Sequence, residues 1–263
     1  MNFKYYLGAI LTVPLLPIMY VQGKRIMARV PKLSEAKAPK GSINFLKSRK
    51  TMQLVVLGES TIAGVGVNTH EEGFTGTLAT ELSKLFQCTI DWNVYAKSGY
   101  TAQKITKKLV PKIKEDVIDL IVIGIGGNDA FKLNSPKKWR KSIHDLLDTL
   151  QSKYPATPIV FCNMPPIKEF PAFTTLLKNT MGTLVEILGK ELQKAIIDYN
   201  DVYYYGEIIT LAQWIKRHEL KASKADFFSD GVHPSQLTYQ TWAKEIAAKI
   251  FNTAELKNVF VSH

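Results

Sequence analysis

The chain has 263 residues, 46% hydrophobic, 10% aromatic and 22% charged, a composition that excludes collagen-like, low-complexity and disulfide-scaffold proteins. The formal net charge is +11, but residues 1–50 hold ten Lys/Arg and one acidic residue, while the other 213 hold 24 Lys/Arg and 22 Asp/Glu. The basic excess thus belongs to the N-terminal segment, not to the folded body where a nucleic-acid-binding protein would carry it.

Nineteen uncharged residues, 5–23, separate Lys4 from Lys24. As a helix they would span about 28 Å, close to the thickness of a bilayer's hydrocarbon core. Tyr5, Tyr6 and Tyr20 lie near the ends, where interfacial aromatics sit, and Pro14 and Pro17 would kink the helix. Only Lys4 precedes the run and no Ala-x-Ala follows it, so an uncleaved anchor over 1–29 is expected before a cleaved signal. A helix lying on an anionic leaflet is the other alternative. Lys24, Arg25, Arg29 and Lys32 follow the run, which favours a main domain on the cytoplasmic side of an inner membrane over the periplasmic face or secretion. Residues 30–50, rich in Lys, Pro, Ala and Ser, read as a linker.

From residue 51 strand and helix patterns alternate. Strand-like runs are expected at 53–57, 89–95, 119–125, 158–162 and 202–205, and helical spacing at 74–86, 101–112, 139–154, 176–199 and 234–251. Five strands alternating with helices imply a mostly parallel, doubly wound sheet with helices on both faces. The body is expected over 51–255, with a tail over 256–263. Cys88 and Cys162 each fall in an apolar run and read as buried free thiols.

In such a sheet ligands sit beyond the carboxyl ends of the strands. Three polar segments fall there: Gly58-Glu59-Ser60, Ala96-Lys97-Ser98-Gly99-Tyr100, and Gly126-Gly127-Asn128-Asp129. A fourth, Asp230-Gly231-Val232-His233, precedes the last helix. Taken singly each is weak: Ser60 is as well explained by a helix cap, and the glycine segments by turns. A serine nucleophile, however, needs a base and a carboxylate to orient that base, and Asp-x-x-His supplies both.

Together and in this order, the four segments resemble the SGNH (GDSL-type) hydrolase family over residues 53–251. The resemblance implies a flavodoxin-like three-layer α/β/α sandwich and a serine esterase. By the family's motifs Ser60 would be the nucleophile, His233 the base and Asp230 its partner. The oxyanion hole would comprise Ser60, Gly99 and Asn128. Residues 163–173 look like the substrate loop of bacterial lysophospholipase-like esterases, making Met164, Pro165, Ile167, Phe170 and Phe173 candidate acyl contacts. One departure is clear: Glu59 stands where the family usually has aspartate, which puts the rigidity of the Ser60 turn in doubt. The expected substrates are short-chain acyl esters or lysophospholipid-like lipids, met beside a membrane. The alternatives are a carbohydrate O-acetyl esterase with the same triad and a non-catalytic membrane-tethered binding module. No cofactor, metal or nucleic-acid partner is expected; His70, His144, His218 and His263 lack ligand spacing.

Overall fold

The structure is a computed structural model that describes residues 3–46 and 50–261. It begins with two helices, α1 (Phe3–Thr12) and α2 (Leu16–Arg29), joined by a 3-10 turn at Val13–Leu15. Pro14 and Pro17 each sit in the first turn of their segment, where no helical amide partner is lost. The body then runs β1 (Lys40–Ile43), β2 (Thr51–Gly58), α3 (Phe74–Phe86), β3 (Thr89–Ala96), α4 (Ala102–Lys108), β4 (Leu120–Gly124), α5 (Gly127–Phe131) and α6 (Pro136–Lys153). It continues through β5 (Ile159–Phe161), α7 (Thr175–Ala195), β6 (Val202–Tyr204), α8 (Leu211–Arg217), α9 (Gln236–Asn252) and α10 (Ala254–Val261).

The six strands form one sheet in the order β1-β3-β2-β4-β5-β6, parallel except for β1 against β3. Alternation along β2 divides the core: Val55 and Leu57 face α4, α6 and α7, while Leu54 and Val56 face α3, α8, α9 and α10. All five residues of β4 are buried, as expected of a strand covered on both faces. From β2 the chain steps to β3 on one side and then returns to β4 on the other. The switch point, and with it the crevice of the fold, therefore lies at the carboxyl end of β2.

Two expectations about segments are corrected, and one segment to which no element was assigned contains a helix. The 30–50 linker is not wholly extended chain between two units: it supplies a sixth strand, β1, whose Gly41 lies against the Trp92 ring. It also lays Ala36 and Lys37 along the segment after β2 through backbone bonds to Ala63 and Asn68. The 256–263 tail is largely α10, whose Leu256 and Phe260 are buried in the core. Finally, 206–225 contains a further helix, α8, capped by Thr210. Cys88 and Cys162 are buried and unpaired.

Candidate active site

Gly58 ends β2 opposite Gly124 at the end of β4. A Cβ on Gly58 would lie 2.4 Å from the Gly124 carbonyl oxygen and 2.5 Å from Ile62 Cγ1, so only glycine lets the chain turn this sharply. The turn is closed by Ala63 N–H to Glu59 O (2.8 Å) and Val65 N–H to Ser60 O (3.1 Å). This leaves Ser60 half-buried at the strand end. Its hydroxyl and backbone N–H have no hydrogen-bond partner among the described residues.

The Glu59 side chain turns inward, 4% exposed. Its Oε1 accepts from Gly127 N–H (2.8 Å) and its Oε2 from Asn128 N–H (2.9 Å). Here the added methylene of glutamate does not loosen the turn: the carboxylate bridges the end of β2 to the first turn of α5. Burial pushes its pKa up to about 7 against the lowering pull of those two amides. The next carboxylate, Asp129, accepts from Ala102 N–H (2.8 Å) and Asn134 Nδ2 (2.6 Å), and burial raises it too.

Asn128 Nδ2 donates one proton to the Tyr100 carbonyl at 3.1 Å, which leaves its second amide proton available. Gly99 stands beside it in an exposed turn at φ +77°, a left-handed conformation that favours glycine. The Gly99 N–H has no partner among the described residues. Three separate strand-end segments are thus tied into one hydrogen-bonded block that carries several free donors.

The fourth segment meets this block from the side of α9. Asp230 Oδ2 lies 2.7 Å from His233 Nδ1, while Oδ1 accepts from the backbone N–H of Val232 (2.9 Å) and His233 (2.7 Å). The carboxylate is fully buried, whereas 26% of the imidazole side chain stays accessible. Burial acts to raise the Asp230 pKa, but the bonds from His233 and Val232 outweigh it and hold the carboxyl below its ordinary value. Ser229 Oγ donates to Gly66 O (3.1 Å) and Tyr239 Oη to Val65 O (2.8 Å), seating the His233 segment on the Ser60 turn. The Ser60 hydroxyl and the His233 ring are not hydrogen-bonded to each other, a common state of sites without substrate.

Both segments border a cavity of about 50 Å³ whose lining includes Glu59, Met164, Phe170, Phe228, Val232 and Trp242. Beyond Met164, Pro165 and Pro166 lies a second space of about 310 Å³, bordered also by Lys168, Glu186 and Tyr204. Of the loop residues singled out above, Met164, Pro165 and Phe170 line the smaller cavity. Phe173 stacks edge-on against Phe170 at 5.4 Å. Ile167 departs from its expected place: at 1% exposure it is part of the core beneath the loop and not of either cavity. Neither Trp242 nor Phe228 stands out in the sequence: Trp242 is a buried aromatic on α9, which looks the same whether it borders a cavity or fills a core, and Phe228 is half-buried just after a 3-10 turn.

The other histidines are accounted for locally. His144 bonds Tyr199, His218 bonds Glu245 and His70 is buried beside Gly64; His263 lies outside the described residues. Among the described residues no three His, Cys, Asp or Glu side chains are grouped to hold a metal ion.

The family model of GDSL-like lipases/acylhydrolases matches residues 54–246. The chain belongs to that family. A GDSL esterase/lipase of Arabidopsis thaliana is 22% identical over 204 residues, covering 70% of this chain and 83% of the relative. Among solved structures, the lipase/acylhydrolase from Enterococcus faecalis superposes with a TM-score of 0.54 at 16% identity, over 76% of this chain and 95% of that one. A family 3 carbohydrate esterase of Clostridium thermocellum gives 0.54 at 18% identity, over 80% and 99%. An extracellular lipase of Streptomyces rimosus gives 0.53 at 15%, over 75% and 99%. These structural likenesses establish the fold. Family membership makes the protein a carboxylic ester hydrolase.

Proposed function

We propose that the protein hydrolyses esters of small or lipid-like acyl groups through a Ser60–His233–Asp230 triad. The observation that carries this reading is the hydrogen-bonded Asp230–His233 pair, its carboxylate buried and its ring accessible, seated on the Ser60 turn. His233 takes the Ser60 proton as Ser60 Oγ attacks the ester carbonyl, and passes it to the departing alcohol as the acyl-enzyme forms. Water then attacks the acyl-enzyme, giving a proton to His233, which returns it to Ser60 as the acid leaves. Asp230 stays ionised, orients the ring and stabilises the imidazolium. The oxyanion is received by the N–H groups of Ser60 and Gly99 and the free amide proton of Asn128.

The apolar lining around Met164, Phe170, Phe228 and Trp242 supports an acyl group as occupant, and the modest volume supports a short one. A polar sugar, as an O-acetyl esterase would bind, finds little hydrogen-bonding capacity in that cavity. Ser60→Ala should abolish hydrolysis of p-nitrophenyl acetate and butyrate while leaving circular dichroism unchanged, and should end labelling by a fluorophosphonate. Activity of that variant equal to the parent's would refute the assignment.

A further inference from the structure

The N-terminal helices have two unlike sides. Thr12, Leu15, Met19, Gln22 and Ile26 recur at spacings of three and four and are the less exposed positions, one stripe along the helix. Leu15, Met19 and Ile26 pack on the core under α4, α6 and α7, with Met19 only 6% exposed. Thr174 Oγ1 donates to Gln22 Oε1 at 2.7 Å, and α1 also touches α7. The opposite side presents Leu7, Ile10, Leu11, Ile18, Val21 and Met27 to solvent. Tyr5–Arg29 is long and apolar enough to cross a membrane, but both halves of that segment lie against the α/β body. Crossing a hydrocarbon core of about 30 Å in this arrangement would drag α7 into lipid.

We propose that this helix pair lies in the plane of an anionic bilayer, clamped to the body along the Leu15–Ile26 stripe, and holds the ester site against the lipid surface. The uncovered apolar side supplies the buried area, and Lys24, Arg25 and Arg29, all exposed, meet the headgroups. Lys24 Nζ lies 5.0 Å from the Tyr20 ring, a pairing suited to the interface. The clamp reaches the site directly. Thr174, bonded to Gln22, is the N-cap of α7 and follows Phe173 at the end of the loop that walls the acyl cavity. Beside that loop, Phe131 is 41% exposed and 5.9 Å from Phe173. The consequence for substrate, an ester taken from the bilayer surface, rests on the ester-hydrolase reading; the docking of the helix does not.

The full chain should float with vesicles of phosphatidylcholine and phosphatidylglycerol (7:3), float far less with phosphatidylcholine alone, and be released by alkaline carbonate. On the vesicles, a Gln22→Cys/Thr174→Cys variant should be joined by a short bismaleimide, the native cysteines being buried. Ile10→Glu/Val21→Glu should lower vesicle binding at least tenfold while leaving hydrolysis of soluble p-nitrophenyl acetate unchanged. Resistance of the parent to carbonate would mean a spanning helix and overturn the proposal. So would a lipid-indifferent dimer that Ile10→Glu/Val21→Glu splits, because a second copy would then cover the apolar side. Loss of ester hydrolysis by the parent would sink the catalytic reading and leave the flotation result standing.

Discussion

On one side of the cleft, Glu59, Tyr100, Asn128 and Asp129 are joined across three strand ends by hydrogen bonds of 2.8–3.1 Å. On the other side, Met164, Phe170 and Phe173 are held by apolar and ring contacts. Directional bonds fix angles as well as distances, which donors aimed at a developing charge require. Apolar packing fixes volume and tolerates sliding and rotamer change. The two walls should therefore respond differently to substitution: the polar one in turnover, the apolar one in substrate preference.

The largest effect belongs to the carboxylate behind the imidazole. Asp230→Asn keeps the shape but places an amide against the ring, and the tautomer that accepts from Ser60 is no longer the favoured one. Turnover of p-nitrophenyl acetate should fall about 10⁴-fold with little change in KM. A fall of less than tenfold would show that His233 is oriented by something else. Asn128→Ala comes next. In the oxyanion role proposed for it, losing this donor should lower kcat about 100- to 1000-fold. Because the same amide also braces Tyr100, Asn128→Asp should not rescue it: the carboxylate would repel both the carbonyl and the oxyanion.

Glu59 tests whether the polar wall stores strain. Its pKa of about 7 lies above the ordinary 4.5, so the folded state binds more protons than the unfolded state between these values. Stability from this group therefore falls as pH rises from about 4.5 to about 7. The span corresponds to roughly 3 kcal/mol. Urea denaturation at pH 5 and pH 8 should show the parent losing up to that amount relative to Glu59→Gln, which does not titrate. At pH 8 the glutamine variant should still turn over more slowly, about tenfold, since its NH2 group faces an amide donor and leaves one N–H unpaired. A pH-independent difference in stability would place the carboxylate in a wetter site than its burial indicates.

How much of this was legible in the sequence follows from the same contrast. The buried strand at Leu120–Gly124 and the helix at Phe74–Phe86 announce themselves because one element's own periodicity decides their burial. The edge strand Lys40–Ile43 carries no such pattern; it exists because β3 offers it hydrogen bonds and Trp92 covers its glycine. Ser60, Asp230 and His233 stand out by residue type and order, and the Asp230–His233 bond spans only three residues. The Glu59 bridge is invisible in the sequence, since its partners lie 68 and 69 residues away. Ile167 erred the other way: its neighbours in the loop face the cavity, but a 3-10 turn at Ile167–Glu169 rotates its side chain into the core.

The smallest effect on rate, and the sharpest test of the apolar wall, is Met164→Ala. Met164 borders both the cavity of about 50 Å³ and the space of about 310 Å³ and sits in a slot bounded by Gly126, on which an added Cβ would collide with it, and by Gly189, on which an added Cβ would press it tightly. Such a side chain has no rigid branch and can swing aside at modest cost. Truncation should join the two spaces, so the ratio of kcat/KM for p-nitrophenyl octanoate over acetate should rise several-fold, while kcat for acetate changes less than threefold because no oxyanion donor moves. The cost should appear instead in stability, about 2–3 kcal/mol for the emptied volume, readable as a lower urea midpoint. If the octanoate ratio stays constant while acetate turnover collapses, Met164 braces the polar wall and the division of labour between the two sides fails.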